Sequence, residues 1–260
     1  MLRTFTDQMG HRLSITFPPK RIVSLVPSQT ELLSTLGLES EVVGITKFCV
    51  HPVEWLQHKT IIGGTKNFRF DVIEALQPDL IIGNKEENYE EGIRLLQEKY
   101  PVWMSDIVSM NDAMDMIQGI GEITGKAAEA SHILQSIQQS FEILKSFSGQ
   151  SILYFIWRNP WMVAGNGTFI HEMLERLTLR NIAPSPRYPE LTDENIRQLK
   201  PDYIFLSSEP YPFQEKHIAE LKQLSPSSEI ILVDGEMFSW YGSRLALAPH
   251  YFNSLNTLLR

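Results

Sequence analysis

The chain has 260 residues, 43% of them hydrophobic and 21% charged, with a formal net charge of −8. That length holds one large or two small domains with cores of their own. The acidic balance excludes a nucleic-acid partner, which rewards clustered Lys and Arg, and no apolar run reaches the length of a membrane span.

Thr4 to Phe17 reads as a hairpin around a Gly10 turn, closed by Pro18-Pro19. Met1 to Phe17 shows neither the apolar core nor the small-residue cleavage site of a signal peptide. As written the chain therefore reads as cytoplasmic; it would be exported only if a leader had been removed and Met1 were artificial. Arg21 to Val26 is a buried strand. Ser28 or Thr30 in the loop after it is placed to cap a helix beginning near Glu31. Val42 to Thr46 is a second strand, followed by the loop Phe48-Cys49-Val50-His51-Pro52. Ile61 to Asn67 is a short strand running into a glycine turn. A helix over Asp71 to Leu76, a strand over Leu80 to Gly83 and the polar loop from Asn84 to Asn88 come next. Tyr89 to Lys99 is a helix, Val102-Trp103 a strand, and Asn111 to Thr124 a helix ended by Gly125.

Lys126 to Phe147 reads as one long helix. Ala127, Ala130, Leu134, Ile137, Phe141 and Leu144 step by three and four, which makes one apolar stripe. On its far side Ile152 to Trp157 is a strand, and Gly165 to Thr168 is a turn capping the next helix. Thr192 caps a helix with Asp193 and Glu194 in its first turn. Ile230 to Val233 is the last strand, and Leu245 to Leu259 the closing helix.

Two segments repeat across the long helix. Asp71 to Ile82 (DVIEALQPDLII) and Glu194 to Phe205 (ENIRQLKPDYIF) share acid-x-Ile-x-x-Leu-x-Pro-Asp. In each, a short amphipathic helix must end before Pro, because the residue before a proline avoids the helical region. The chain then turns at Asp and enters a buried strand. Glu31 to Leu38 likewise parallels Glu172 to Leu179, each after an apolar strand. The sequence thus describes an α/β protein of two Rossmann-like lobes with parallel sheets, at 1–125 and 148–260, joined by a backbone helix at 126–147.

In open parallel sheets ligands bind outside the carboxyl ends of the strands. Those ends carry the aromatics Phe48, Phe68, Trp157, Trp161, Trp240 and Tyr241 and the cations Lys47, Lys66, Arg158, Arg187 and Arg244. Two lobes with such loops describe a cleft for one large, flat or partly anionic ligand. Cys49 and His51 have the spacing of a soft-metal or axial cobalt site, to which Glu86-Glu87 could add hard ligands; a buried thiol beside a loop histidine, with the loop acids solvated, is the favoured reading of the pair. No G-x-S-x-G, H-E-x-x-H, Walker loop or G-x-G-x-x-G occurs, so the chain does not read as an enzyme with any of those chemistries.

The segments RIVSLVPSQTELL, DVIEALQPDLII and ENIRQLKPDYIF, with the long helix between them, resemble the periplasmic-binding-protein family of ABC importers that have a single helical backbone. The cobalamin-binding branch looks closest, although Thr65 stands where those proteins tend to carry a cleft aromatic. The resemblance implies a monomeric substrate-binding protein with no intrinsic cofactor. A corrinoid or ferric chelate would be held between the lobes by Phe48, Trp157, Trp161, Trp240 and Tyr241, with Arg158, Arg187 and Arg244 along its polar edge. It also implies an ABC permease as partner, docked through Asp71 on one lobe and Glu194 on the other. Chelatases of tetrapyrrole metabolism share a similar bilobal plan. A cytoplasmic corrinoid carrier or chelatase, with His51 and Glu86 as its His–acid pair, is therefore the alternative.

Overall fold

The computed structural model describes residues 1–259 and divides them into two compact units. Unit 1 comprises Met1–Ile107, Asn111–Gln138 and Tyr241–Ala246; unit 2 comprises Val108–Met110, Gln139–Trp240 and the chain from Leu247 on. The strap Tyr241–Ala246 therefore falls in unit 1, whereas a linear division at 125 and 148 gives it to the C-terminal lobe.

Unit 1 opens with an antiparallel hairpin of β1 (Leu2–Thr6) and β2 (Arg12–Thr16). Its sheet is wholly parallel. Strand β3 (Ile22–Ser24) leads into α1 (Pro27–Thr35), and β4 (Val42–Ile45) into α2 (Trp55–His58). Then come β5 (Thr60–Ile61), the small ribbon of β6 (Gly63–Gly64) with β7 (Asn67–Phe68), and α3 (Phe70–Leu76). Strand β8 (Leu80–Asn84), helix α4 (Glu90–Gln97), strand β9 (Val102–Ser105) and helix α5 (Met110–Thr124) follow. The sheet order is β5-β4-β3-β8-β9. All five residues of β8 are buried, which is why it reads as an unbroken apolar run. Helix α1 begins four residues earlier than the sequence suggests. Pro27 occupies its first turn and no side chain caps it, so Ser28 and Thr30 lie inside the helix.

Helix α6 (Ala127–Glu142) begins in unit 1 and ends in unit 2. It stops five residues short of Phe147 because tertiary contacts claim the next backbone groups. Asn253 accepts from the Lys145 N–H at 2.7 Å and donates to the Ile143 carbonyl at 2.9 Å. Phe147 donates its N–H to the Leu177 carbonyl and buries its ring against Tyr203.

Unit 2 contains β10 (Ser151–Trp157), β11 (Trp161–Val163), α7 (Phe169–Arg176), β12 (Arg180–Asn181) and β13 (Glu190–Leu191). It continues with α8 (Asp193–Leu199), β14 (Tyr203–Ser207), α9 (Glu215–Leu224), β15 (Glu229–Val233), α10 (Glu236–Ser239) and α11 (Ala248–Leu258). Its sheet runs β13-β11-β10-β14-β15, with β12 beside β10. It is mixed rather than parallel, because β11 returns antiparallel to β10 and β13 antiparallel to β11. A two-stranded hairpin needs only a tight turn, which Arg158 to Pro160 supply, whereas a parallel neighbour needs a long crossover.

The sequence repeats are geometric twins. Gln77 and Lys200, each just before the Pro-Asp pair, end their helices in the left-handed region at φ 44° and 43°. Asp79 then accepts the backbone N–H groups of Lys20 and Arg21, at 2.7 and 2.8 Å, at the entry to β3. Asp202 does the same at the entry to β10, accepting the N–H and hydroxyl of Ser151 at 2.7 and 2.6 Å. The Asp of each repeat thus pins the first strand of its own sheet. The second repeat closes α1 and α7 with matching caps, Leu38 N–H to the Leu33 carbonyl and Leu179 N–H to the Leu174 carbonyl. Gly37 takes the left-handed position in one, at φ +73°, and Thr178 in the other, at +58°.

Candidate functional site

Strand order reverses between β3 and β8 in unit 1 and between β10 and β14 in unit 2. The loops leaving the carboxyl ends of those strands are where such sheets bind ligands.

In unit 1 these loops are locked by a buried amide network. Asn88 donates to the carbonyls of Leu25 and Thr65, at 3.3 and 3.1 Å, and accepts from the Asn84 N–H at 2.9 Å. The Asn84 side-chain oxygen accepts the N–H groups of Glu86 and Glu87 at 2.8 and 3.1 Å, fixing the loop after β8. Its amide donates to Ser105 Oγ at 3.0 Å, where Gln29 Nε2 also arrives at 2.7 Å. A single hydroxyl at the end of β9 therefore ties the end of β8 to the first turn of α1. Sequence reasoning missed Gln29, Asn84, Asn88 and Ser105; two Asn four apart directly after an apolar strand were the available signal. Phe48 stands exposed at the end of β4, with 50% of its surface open. Gly64 lies beneath it; a Cβ there would sit 3.1 Å from the ring, so the exposed ring would have to shift by a few tenths of an ångström.

Tyr241 is buried and donates its hydroxyl to Glu87 at 3.0 Å. Burial, with the Glu87 charge beside it, pushes this phenol well above its ordinary pKa. Arg244 forms a two-pronged pair with Glu31, at 2.7 and 2.9 Å, with side-chain exposures of only 10% and 18%. This arginine is committed to a carboxylate of its own unit rather than held out as a ligand's polar edge.

Cys49 is fully buried. Its sulfur lies 3.0 Å from Thr30 Oγ1 and 3.2 Å from Thr46 Oγ1, and burial raises the thiol's pKa. It is thus a buried, neutral thiol held between two threonine hydroxyls, an environment that fits a core thiol beside a loop histidine rather than a soft-metal site. Among the described residues no group of three or more His, Cys, Asp or Glu side chains is arranged to hold a metal. Glu86, paired with His51 in the chelatase alternative, sits where its backbone carbonyl accepts from Lys66 at 2.6 Å.

In unit 2 the exposed aromatic is Trp157, 41% open at the end of β10 and edge-on to Tyr211 with ring centroids 5.7 Å apart. Its hairpin partner Trp161 is a core residue, 2% exposed. It stacks on Phe213 and donates its indole N–H to Asp193 at 3.1 Å. Arg158 lies 3.9 Å over the Trp161 ring and is paired with Glu220. Trp240 is buried too. Its indole N–H and the Ser239 hydroxyl both donate to Glu209 Oε1, at 2.9 and 2.7 Å. Burial raises the Glu209 carboxyl's pKa against those two bonds, and the charges of Glu236 and Asp234 add to the rise. Glu209 was missed in the sequence, where Glu-Pro at a strand end reads as a plain turn. Arg187 is exposed at φ +65°, donates to the Gly167 carbonyl at 2.6 Å and lies over Tyr188.

Of the eight residues expected to hold ligand, Phe48, Trp157 and Arg187 are open to solvent. Trp161, Trp240, Tyr241, Arg158 and Arg244 are buried or paired within their own units. Asp71 and Glu194 occupy equivalent places, each the second residue of a seven-residue helix and each highly exposed.

No helix among the described residues is long and apolar enough to cross a membrane. The chain is similar to an uncharacterized ABC transporter substrate-binding lipoprotein, YvrC, of Bacillus subtilis. The two are 28% identical over 214 residues, which is 77% of this chain and 68% of that protein. It is 24% identical over 202 residues to a vitamin B12-binding protein of Vibrio cholerae, covering 75% of this chain and 73% of that one. Its fold matches the petrobactin-binding protein YclQ of Bacillus subtilis with a TM-score of 0.79, over all of this chain and 99% of that one, at 18% identity. These relatives give the cytoplasmic reading no support. Residues 22–225, from the first strand of one sheet to the end of α9 beside the other, match the family described as periplasmic binding protein, and the chain belongs to that family.

Proposed function

We propose that this protein is the substrate-binding component of an ABC-type importer and that it delivers a corrinoid or a metal chelate to a membrane permease. The family match over residues 22–225, which takes in strands of both sheets, carries this reading. The binding of vitamin B12 by one relative and of petrobactin by a protein of the same fold supports the ligand class. The family consists of binding proteins, which fits a chain that carries its ligand unchanged. It works on the outer side of a membrane, as a monomer, with Asp71 and Glu194 as the acids that meet the permease.

The chemistry of the strand-end loops narrows the ligand. Phe48 in unit 1 and Trp157 in unit 2 are each exposed aromatics of the kind that packs on an apolar plane. Of the three arginines expected along the polar edge of an anionic ferric chelate, Arg158 and Arg244 are neutralised by Glu220 and Glu31, and Arg187 stands exposed. Recruiting either paired arginine would break a charged pair before forming another. A ligand with a rim of neutral amides, as in a corrinoid, makes no such demand. Tryptophan-fluorescence titration with cobalamin, cobinamide, haem and ferric siderophores tests the reading. Quenching at micromolar concentration by cobalamin or cobinamide is the expected result. No quenching by any of the four would overturn it.

A further inference from the structure

The start of α3 breaks the symmetry of the two Asp71/Glu194 helices. Aligning the repeats sets Phe70 opposite Asp193. Asp193 is occupied, accepting the indole N–H of Trp161, and Thr192 and Asn195 close a reciprocal capping box around it. Phe70 instead leaves a ring 37% exposed, and Leu95 on α4 is 38% exposed. Between them, floored by the buried Leu96 and by Tyr100, lies a notch of about 220 Å³. Its rim holds Glu74, Glu98 and Lys99, with Glu74 and Lys99 3.5 Å apart. Asp71, its side chain 79% exposed, is the residue next to Phe70. An open aromatic and an open leucine flanking a notch cost free energy in water unless something covers them.

We propose that this notch receives one apolar side chain from a basic loop of the permease, so that unit 1 docks by charge and an apolar knob and unit 2 by charge alone at Glu194. The inference rests on the importer reading above. The notch volume suits a single large side chain rather than a helix. Asp71 is paired with Arg69 at 3.8 Å and Glu74 with Lys99 at 3.5 Å, so Glu98 leaves the notch and its neighbour Asp71 with one carboxylate in excess, which favours a partner segment that carries arginine or lysine beside its apolar residue. The difference between the two units makes docking directional. A permease surface built for the apolar notch would meet only charged and capped groups at Asp193, so the reversed orientation is disfavoured.

The test uses the full chain and a candidate ABC permease–ATPase complex from the same organism, purified in nanodiscs. Docking is measured by surface plasmon resonance at low and high salt for wild type, Phe70→Asp, Phe70→Leu and Leu95→Ser. Phe70→Asp adds a second acid beside Asp71, so a contact made by charge alone would strengthen. We expect it instead to weaken docking at least tenfold, Leu95→Ser to weaken it severalfold, and Phe70→Leu to stay near wild type. Wild-type docking is expected to keep part of its affinity at high salt, because apolar burial is not screened. Cobalamin titration of each variant is expected to be unchanged and shows that each is folded. If wild type docks and both Phe70→Asp and Leu95→Ser dock within twofold of it, the notch proposal fails alone. If wild type does not dock at all, the importer reading fails with it. If wild type sediments as a dimer that Phe70→Asp dissolves, the notch serves a second copy of the chain and the proposal is overturned.

Discussion

Replacing Arg244 with Ala separates a structural arginine from a ligand-binding one. In the structure its guanidinium makes two charged hydrogen bonds to Glu31, at 2.7 and 2.9 Å, and both side chains are largely sequestered. The variant would leave the Glu31 carboxylate poorly solvated without its partner. Breaking a buried pair from one side costs about 3–5 kcal/mol, and the residual exposure here points to the low end, about 3 kcal/mol. At about 2–4 °C per kcal/mol for a chain of this size, the melting temperature should fall by about 6–12 °C. Glu31→Gln alone should also destabilise. The double variant should recover part of the loss, with a coupling of about 1–3 kcal/mol. Cobalamin affinity should change by less than about twofold, or ~0.4 kcal/mol. Differential scanning calorimetry and fluorescence titration read the two effects separately. A variant that melts like wild type but binds ligand at least tenfold more weakly would refute the assignment and return Arg244 to the ligand's edge.

Asp202 gives a pH prediction. The Ser151 hydroxyl and N–H hold its carboxyl pKa below the ordinary value, so its contribution is fully present above the unfolded value near ~4 and is lost as pH falls through the folded one. In urea denaturation, Asp202→Asn should cost on the order of 1 kcal/mol at pH 7 and progressively less below pH ~4; a cost that stays constant down to pH ~3 would contradict the assignment. Trp157→Ala should cost roughly 1–3 kcal/mol of ligand binding, the burial of one large side chain, and should remove most of the quenching; an unaltered titration would show that this aromatic meets no ligand. Cys49 should be inert to a thiol reagent at pH 8 until the protein is unfolded, because the thiol is sealed and its pKa raised; rapid labelling of the native state would show otherwise. Asp71→Arg combined with Glu194→Arg should abolish permease association and leave cobalamin affinity intact, and undiminished uptake by cells carrying the double reversal would remove both acids from the docking surface.

The sequence by itself determined the elements, the repeat and the family. Strands such as Leu80–Asn84 are buried on both faces, so composition alone marks them. Pro78 and Pro201 stop their helices by local sterics, whatever surrounds them. The Asp after each proline was legible as a turn, but its bond to the entry of a strand 58 or 51 residues away was not, because that contact exists only once the sheet has assembled. The same holds for the site. A Trp beside a strand end reads alike whether it faces water or core. Tertiary packing decided that Trp157 stands open while Trp161, four residues on, lies against Phe155 and Phe213. Charge signs were visible in the chain, but pairing is a matter of distance. Arg244 and Glu31, 213 residues apart, neutralise each other because the strap Tyr241–Ala246 packs in unit 1, and no local pattern in the sequence encodes that.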